Sequence, residues 1–500
     1  MEHTFLGIDM GTSAMKLILI NEKKEVLAQE SCEYPVVQAD GGVREVRPEV
    51  WFDCMEKGIH SILKGQRAEL VRGIGVTGQM HTLVVLDKNG DTLRPAMMWN
   101  DTRTKGLIPG LREKMRSFTD GDYLSGMVST GSAAANLYWM KLYEPENLEK
   151  LGKFMIGPDY LVYRLTGNVG TDYCEASTSS LYCITQKEWS EEIRALIGLR
   201  PEVYPEIRGS AVKAGTLLPE LAAQFGFGPD VAVITGTGDN PATAISTGCL
   251  GQGYPVLSLG TSGVFMMPIE KPRDGARGKR ILMSFDGNSF FYLAQGAVQS
   301  NGNTFDWWNL DIMALDRCDA ITKQLRTDYI PDERLMFYPH LGGDKTIYSD
   351  PDIRGAFVGL SIGTTREDMT CAVIEGLCFA FRELAEEMCI PIHEFGCVKV
   401  VGGGAKSAVW MQALADILNT RVERLDGMTG AAFGIALLSA YQEGYYSSLS
   451  QLSDGNIRIE KQFEPIAGRV DRFNRKYQKY LRMHEALQYI NGTKTQALQQ

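Results

Sequence analysis

The stretch Phe5-Leu6-Gly7-Ile8-Asp9-Met10-Gly11-Thr12-Ser13, followed closely by Met15-Lys16-Leu17-Ile18-Leu19-Ile20, reads as two apolar strands joined by a glycine-hydroxyl turn. Such a tip offers backbone N–H groups and hydroxyls to an anion. Asp9, at the strand's end, suits Mg2+ held through water, because Mg2+ gives up its hydration reluctantly. The same residues also fit an ordinary hairpin with a polar tip. The pattern returns at Pro255-Val256-Leu257-Ser258-Leu259-Gly260-Thr261-Ser262-Gly263-Val264-Phe265. Aligning Gly11 with Gly260 sets Ser258 opposite Asp9, so only the first copy carries a carboxylate there. Two such turns point to two like domains produced by duplication, gripping the phosphates of a nucleotide.

Between the repeats lies Ile234-Thr235-Gly236-Thr237-Gly238-Asp239-Asn240-Pro241. The apolar run Val231-Ala232-Val233-Ile234 delivers the backbone into a glycine-rich turn, and small residues from Ala242 onward predict a helix. Glycine lets a substrate approach the backbone closely. A carboxylate on such a turn can take a proton from a bound hydroxyl, or Asp239 and Asn240 can simply cap the helix.

Two polar-aromatic clusters stand at predicted strand ends: Gly78-Gln79-Met80-His81, and Trp99-Asn100-Asp101-Thr102-Arg103. They suit a polyhydroxylated ligand, with side-chain forks for hydroxyls and apolar faces for C–H surfaces. Asn89-Gly90, between two apolar runs, predicts a hairpin. Helices are expected from Pro48 to Leu63, Ser132 to Leu148, Thr364 to Met388 and Ala408 to Leu418, and in the tail after Asp471. Residues 150 to 230 carry no legible chemistry and are expected to wall the pocket for that polyhydroxylated ligand. The turn Gly402-Gly403-Gly404-Ala405, opening a helix, permits close approach of a nucleoside or phosphate.

The bulk properties narrow the function classes. Five hundred residues exceed one hydrophobic core. A net charge of −10 argues against a nucleic-acid partner. No apolar run approaches the ~20 residues of a membrane helix. The ten cysteines are scattered singly, and nothing at Met1-Glu2-His3-Thr4-Phe5 resembles a signal peptide. A cytoplasmic protein with reduced thiols and no structural metal is expected.

Taken together, the Gly7-to-Ser13 opening, Gly78-Gln79-Met80-His81, Trp99-Asn100-Asp101, Gly238-Asp239-Asn240, Ser258-to-Gly263 and Gly402-to-Ala405 resemble, in order and spacing, the FGGY carbohydrate kinases. The resemblance covers nearly the whole chain. It implies an α/β fold of two actin-like (ribonuclease-H-like) domains around a cleft, here residues 1–245 and 246–490 with a polar tail at 491–500. It further implies an ATP- and Mg2+-dependent kinase with Asp239 as general base. By the same resemblance Met80, His81, Trp99, Asn100, Asp239 and Asn240 contact the sugar. Gly11, Thr12, Ser13, Gly260 and Thr261 embrace the phosphates, Gly403, Gly404 and Ala405 face the adenosine, and Asp9 lies near the metal. A homodimer is expected by resemblance alone.

The Gln-Met-His and Gly-Asp-Asn elements point to the branch converting D-xylulose to D-xylulose 5-phosphate. Other acceptors within the family are ribulose, glycerol and gluconate. That branch commonly reads Ser-Gly-Glu-Arg-Thr-Pro where this chain has Gly342-Gly343-Asp344-Lys345-Thr346-Ile347, so a planar guanidinium fork is lost at Lys345. A non-catalytic nucleotide switch on the same fold, or a phosphate-ester hydrolase, are the readings from other classes.

Overall fold

Both glycine-tipped hairpins form, each at the middle of a seven-stranded sheet. The structure is a computed structural model describing residues 2–490 except 274, 318–320, 351, 428 and 456. The tail at 491–500 lies outside the described residues.

The chain divides into two compact units: Met1–Gln252 with Ile281–Leu293 and Met428–Asn456, and Gly253–Arg280 with Ala294–Gly427 and Ile457–Gln500. In the first unit the sheet runs in the order Lys213–Thr216, Ala232–Ile234, Val71–Gly78, Thr4–Met10, Ala14–Asn21, Val26–Glu33. Thr4–Met10 pairs antiparallel with Ala14–Asn21 and parallel with Val71–Gly78. Ala232–Ile234 and the short strand Thr237–Gly238 both run parallel to Val71–Gly78.

The second unit repeats this plan. Its sheet runs Lys279–Met283, Phe291–Val298, Gly263–Ile269, Val256–Leu259, Cys397–Val401, Arg421–Asp426, Arg458–Phe463. Val256–Leu259 pairs antiparallel with Gly263–Ile269 and parallel with Cys397–Val401. In both units the hairpin's first strand therefore lies between its antiparallel mate and a parallel neighbour, the arrangement of the actin-like fold.

The packing units are discontinuous in sequence, because segments at 281–293 and 428–456 pack with the first unit. The reason is a strip of glycines. A methyl group on Gly7 would collide with the Ala432 carbonyl oxygen and stand 2.9 Å from Ala436 Cβ, and one on Gly75 would stand 2.8 Å from Ile435 Cγ1. With no side chains there, the late helix Ala431–Gln442 lies directly on the first unit's sheet. Gly434 likewise abuts the Ala242 carbonyl in the helix Asp239–Ser246, and Gly430 N–H donates to Ser246 Oγ at 2.9 Å.

Local chemistry accounts for most helices. Pro48 opens Pro48–Ile62, which buries Trp51, Met55, Ile59 and Ile62 along one face. Thr365 and Asp368 form a capping box at the head of Arg366–Glu387, the central core helix of the second unit. The helix expected from Ser132 to Leu148 divides into Ala133–Tyr143 and Pro145–Lys150, since proline disfavours helix at the residue before it. The Asn89-Gly90 hairpin forms, with Leu86 bridging Thr92 and Gly90 at φ 90°.

Candidate active site

Three neighbouring strands of the first unit run parallel, so their carboxyl ends bring three turns to one edge. Thr4–Met10 ends in Gly11-Thr12-Ser13, Val71–Gly78 ends in Gln79-Met80-His81, and Thr237–Gly238 ends at Asp239. Register makes this explicit: Asp9 lies beside Thr77 and Met10 beside Gly78, while Thr237 and Gly238 pair with the same two residues. Open α/β sheets characteristically bind ligands at such carboxyl ends.

Asp239 is the first residue of its helix, and its Oδ1 accepts the Asn240 N–H at 2.7 Å. The helix's N-terminal dipole favours the carboxylate there. Asn240 reaches Met80, with Nδ2 3.9 Å from Sδ. Burial, and next the negative charge of Asp239, push the Asp9 carboxyl up to about 7, with Lys16 opposing. Asp9 Oδ1 is buried without a hydrogen-bond partner, as are Gln79 Oε1 and Asn100 Oδ1. Buried polar atoms are nearly always paired, so these acceptors have capacity to receive a hydrogen bond or a cation.

The hairpin tip and the aromatic cluster are tied together. Trp99 Nε1 donates to Thr12 Oγ1 at 3.1 Å, and Trp99 keeps 40% of its surface exposed. Gly11 N–H is satisfied within the turn by the Asp9 and Ala14 carbonyls, while its own carbonyl accepts from Tyr34 OH and from Gln79 Nε2. Ser13 is exposed.

Asp101 and Arg103, expected to face a ligand, are turned to structure instead. Asp101 is fully buried and accepts from Arg44 N–H and from the Arg103 backbone and guanidinium. Arg103 also bonds Glu45. A buried carboxylate needs such partners, and the guanidinium fork supplies them at short range.

Missed by sequence was Glu175, in the stretch that carried no legible chemistry. It sits in the helix Tyr173–Thr178, capped by Asp172, and its Oε2 accepts the His81 N–H at 3.2 Å. The available signal was Asp172-x-x-Glu175, an N-cap residue followed three positions on by an acid. Burial, and next the charges of Asp172 and Asp159, push the Glu175 carboxyl well up.

The second unit brings its two glycine turns to one sheet edge in the same way. Gly260 O accepts from Gly302 N–H and from Asn301 Nδ2, both at 3.0 Å, and Asn303 N–H donates to Thr261 O at 3.2 Å. Thr261 is exposed. Gly402, at φ 96°, passes so close to Leu259 that a methyl group would sit 2.7 Å from its carbonyl oxygen. A methyl on Gly403 would meet nothing within 4 Å, whereas one on Gly404 would lie 3.0 Å from Leu259 Cβ. Ala405 is buried in the core, so its backbone alone can meet a ligand. Lys345 is exposed, and the neighbouring Asp344 is buried and accepts the Tyr348 N–H.

Comparison with known proteins fits this duplicated plan. The model of the FGGY family of carbohydrate kinases, N-terminal domain, matches residues 4–246, and that of the C-terminal domain matches 256–443. The xylulose kinase of Bacillus subtilis (strain 168) is 32% identical over 97% of both chains. This chain belongs to the FGGY carbohydrate kinases. The xylulose kinase of Staphylococcus xylosus is 30% identical, covering 92% of this chain and 95% of that protein. Among solved structures, a xylulose kinase from Brucella ovis superposes with a TM-score of 0.89 at 28% identity, covering 98% of this chain and 100% of that one. The FGGY kinase is thus a sugar phosphotransferase, and a kinase of this family takes its phosphoryl group from ATP. Among the described residues no helix is long and apolar enough to cross a membrane.

Proposed function

We propose that this kinase transfers the γ-phosphoryl group of ATP to the terminal hydroxyl of a ketopentose, converting D-xylulose to D-xylulose 5-phosphate. The observation that carries the reading is the pair Asp9 and Asp239, held at the carboxyl ends of two parallel strands that flank Val71–Gly78 on either side. Relatives named xylulose kinase over nearly the whole chain support the choice of sugar.

In this reading Met80, His81, Trp99, Asn100 and Asn240 orient the sugar. Asp239 accepts the proton of the terminal hydroxyl as its oxygen bonds to the γ-phosphorus. The bond between that phosphorus and the bridging oxygen breaks, and ADP leaves. Thr12, Ser13, Gly260 and Thr261 hold the phosphates through backbone N–H groups and hydroxyls, Gly11 shapes the turn that lets the phosphates approach, and Gly403, Gly404 and the Ala405 backbone meet the adenosine. Such transfer needs alignment and charge neutralisation and no covalent help from the protein. Asp9 fits Mg2+: its orphaned oxygen and its unfavourable burial are both relieved by a cation. Mg2+, when bound, supplies neutralisation of the triphosphate. We place the reaction in the cytoplasm and expect a homodimer, which light scattering checks.

The test is coupled ADP release with Mg-ATP across D-xylulose, L-xylulose, D-ribulose, L-ribulose, glycerol, D-gluconate and no acceptor. The expected result is a kcat/KM for D-xylulose well above the rest. A different preferred sugar overturns the substrate and directs attention to Gly342–Ile347. Equal release without acceptor overturns sugar phosphorylation.

A further inference from the structure

Buried acids are costly, because removing a carboxyl group from water is repaid only by well-placed partners. Glu175 is 1% exposed. One of its oxygens, Oε2, accepts the His81 N–H. The other, Oε1, is buried with no hydrogen-bond partner. It lies where a methyl group on Gly238 would be 3.0 Å away, and that same methyl would be 2.9 Å from Met80 Sδ. Glu175 therefore stands directly between the turn carrying His81 and the turn carrying Asp239.

His81 itself holds φ 70°, in the left-handed region that few non-glycine residues occupy. Its N–H would point elsewhere from an ordinary backbone conformation, so the acceptor at Glu175 is a direct restraint on that geometry. Glu175 is in turn immobilised. Its own N–H is capped by Asp172 Oδ1 at 2.9 Å, and Asp172 Oδ2 accepts from Ser210 Oγ at 2.7 Å. Gly238, with no Cβ, leaves the room that Glu175 and Met80 occupy.

We infer that Glu175 is a positioning residue for sugar phosphorylation: a buried strut that locks the Met80-His81 turn at a set distance from Asp239 and so shapes the sugar subsite without touching the sugar. The role rests on the proposed function for its kinetic consequence and on geometry alone for its structural one, and the two are tested separately. It explains why the strand ends are built with glycine at 238 and a strained histidine at 81. A carboxamide can replace the carboxyl as acceptor, whereas an apolar chain of the same length cannot.

The experiment compares Glu175→Gln with Glu175→Met, which fills the same space without an acceptor, in the full-length protein. The first readout needs no activity: hydrogen–deuterium exchange of the peptide containing the His81 amide, without substrates. Exchange at His81 is expected to quicken about tenfold in Glu175→Met, as one buried hydrogen bond is lost, and to stay near wild type in Glu175→Gln. The second readout is steady-state kinetics. Glu175→Met is expected to raise the sugar KM about tenfold with the ATP KM unchanged, and Glu175→Gln to restore it. Unchanged His81 exchange in Glu175→Met overturns the strut. So does a lower Tm in Glu175→Met with sugar and ATP KM moving together, the mark of a merely structural residue. If the wild type phosphorylates no sugar, the proposed function falls and the exchange measurement still decides the strut.

Discussion

The two glycine-tipped hairpins share a backbone plan and differ in what they present. In the first, Asp9 lies across the hairpin from Lys16 and beside Thr77 on the parallel strand; in the second, Ser258 lies across from Val264 and beside Val401. The first tip is braced by side chains, with Tyr34 and Gln79 on the Gly11 carbonyl and Trp99 on Thr12. The second is braced by the start of a helix, with Gly302 N–H and Asn301 Nδ2 on the Gly260 carbonyl. Duplication thus yields two glycine-tipped hairpins from one fold, while a single register position decides which of them carries a carboxylate. Gln79 and Trp99, from the two polar-aromatic clusters, brace the first tip.

The largest effect is expected from the acid at the neighbouring turn of the first unit. Asp239→Asn is expected to lower kcat by about 100- to 10,000-fold, the usual worth of a general base, while sugar and ATP still bind. Retained turnover would break the assignment of chemistry to the first half. A sharper comparison pairs Asp9→Asn with Ser258→Ala. The first is expected to cost about 10- to 100-fold in activity with a raised Mg2+ requirement. The second should leave both measures near wild type. Equal losses would mean that the two hairpins are chemically alike.

A third variant addresses the equivalent strand position four residues before each tip, Gly7 in one hairpin and Val256 in the other. Gly7→Ala pushes a methyl into the Ala432 carbonyl and is expected to cost about 1–3 kcal/mol in urea unfolding, since overpacking forces the helix away. At Val256 the wild-type protein already buries a whole isopropyl group. A neutral Gly7→Ala would sink the idea that the glycine strip seats that helix.

A further effect is expected from pH. Burial pushes the Glu383 carboxyl in the second unit up to about 8 from 4.5. Between these values the folded protein holds a proton that the unfolded chain has released, so this group's contribution to stability falls as pH rises from 4.5 through about 8. Glu383→Gln should flatten that decline, read as urea midpoints at pH 6 and pH 9. An unchanged slope would show that Glu383 ionises in the fold without penalty. Asp9, like Glu383, is raised by burial first and by neighbouring acids as well.

Much of the site was legible because its parts are short and local. Gly-Thr-Ser turns, the Gly-Asp-Asn turn and the Asn-Gly hairpin are set by residues within a few positions of one another. Long helices such as Arg366–Glu387 announce themselves by apolar spacing and caps. Asp101 and Arg103 misled because a polar cluster looks the same whether it meets a sugar or an internal partner. Glu45, their third member, is distant in sequence and lay outside the pattern. Glu175 was silent for the same reason: its meaning comes from His81 and Gly238, each more than sixty residues away.

By itself the sequence determined the family, the doubled hairpin, the chemical types offered at each turn and the acid that can serve as base. These follow from local backbone propensity and from the order of motifs. Only the tertiary structure decided that the helix Ala431–Gln442 belongs to the first unit, that Asp101 is structural, and that Glu175 stands between His81 and Asp239. The physical reason is that burial and hydrogen-bond pairing depend on contacts between remote segments. The same carboxylate becomes ligand, base or strut according to what the fold places against it.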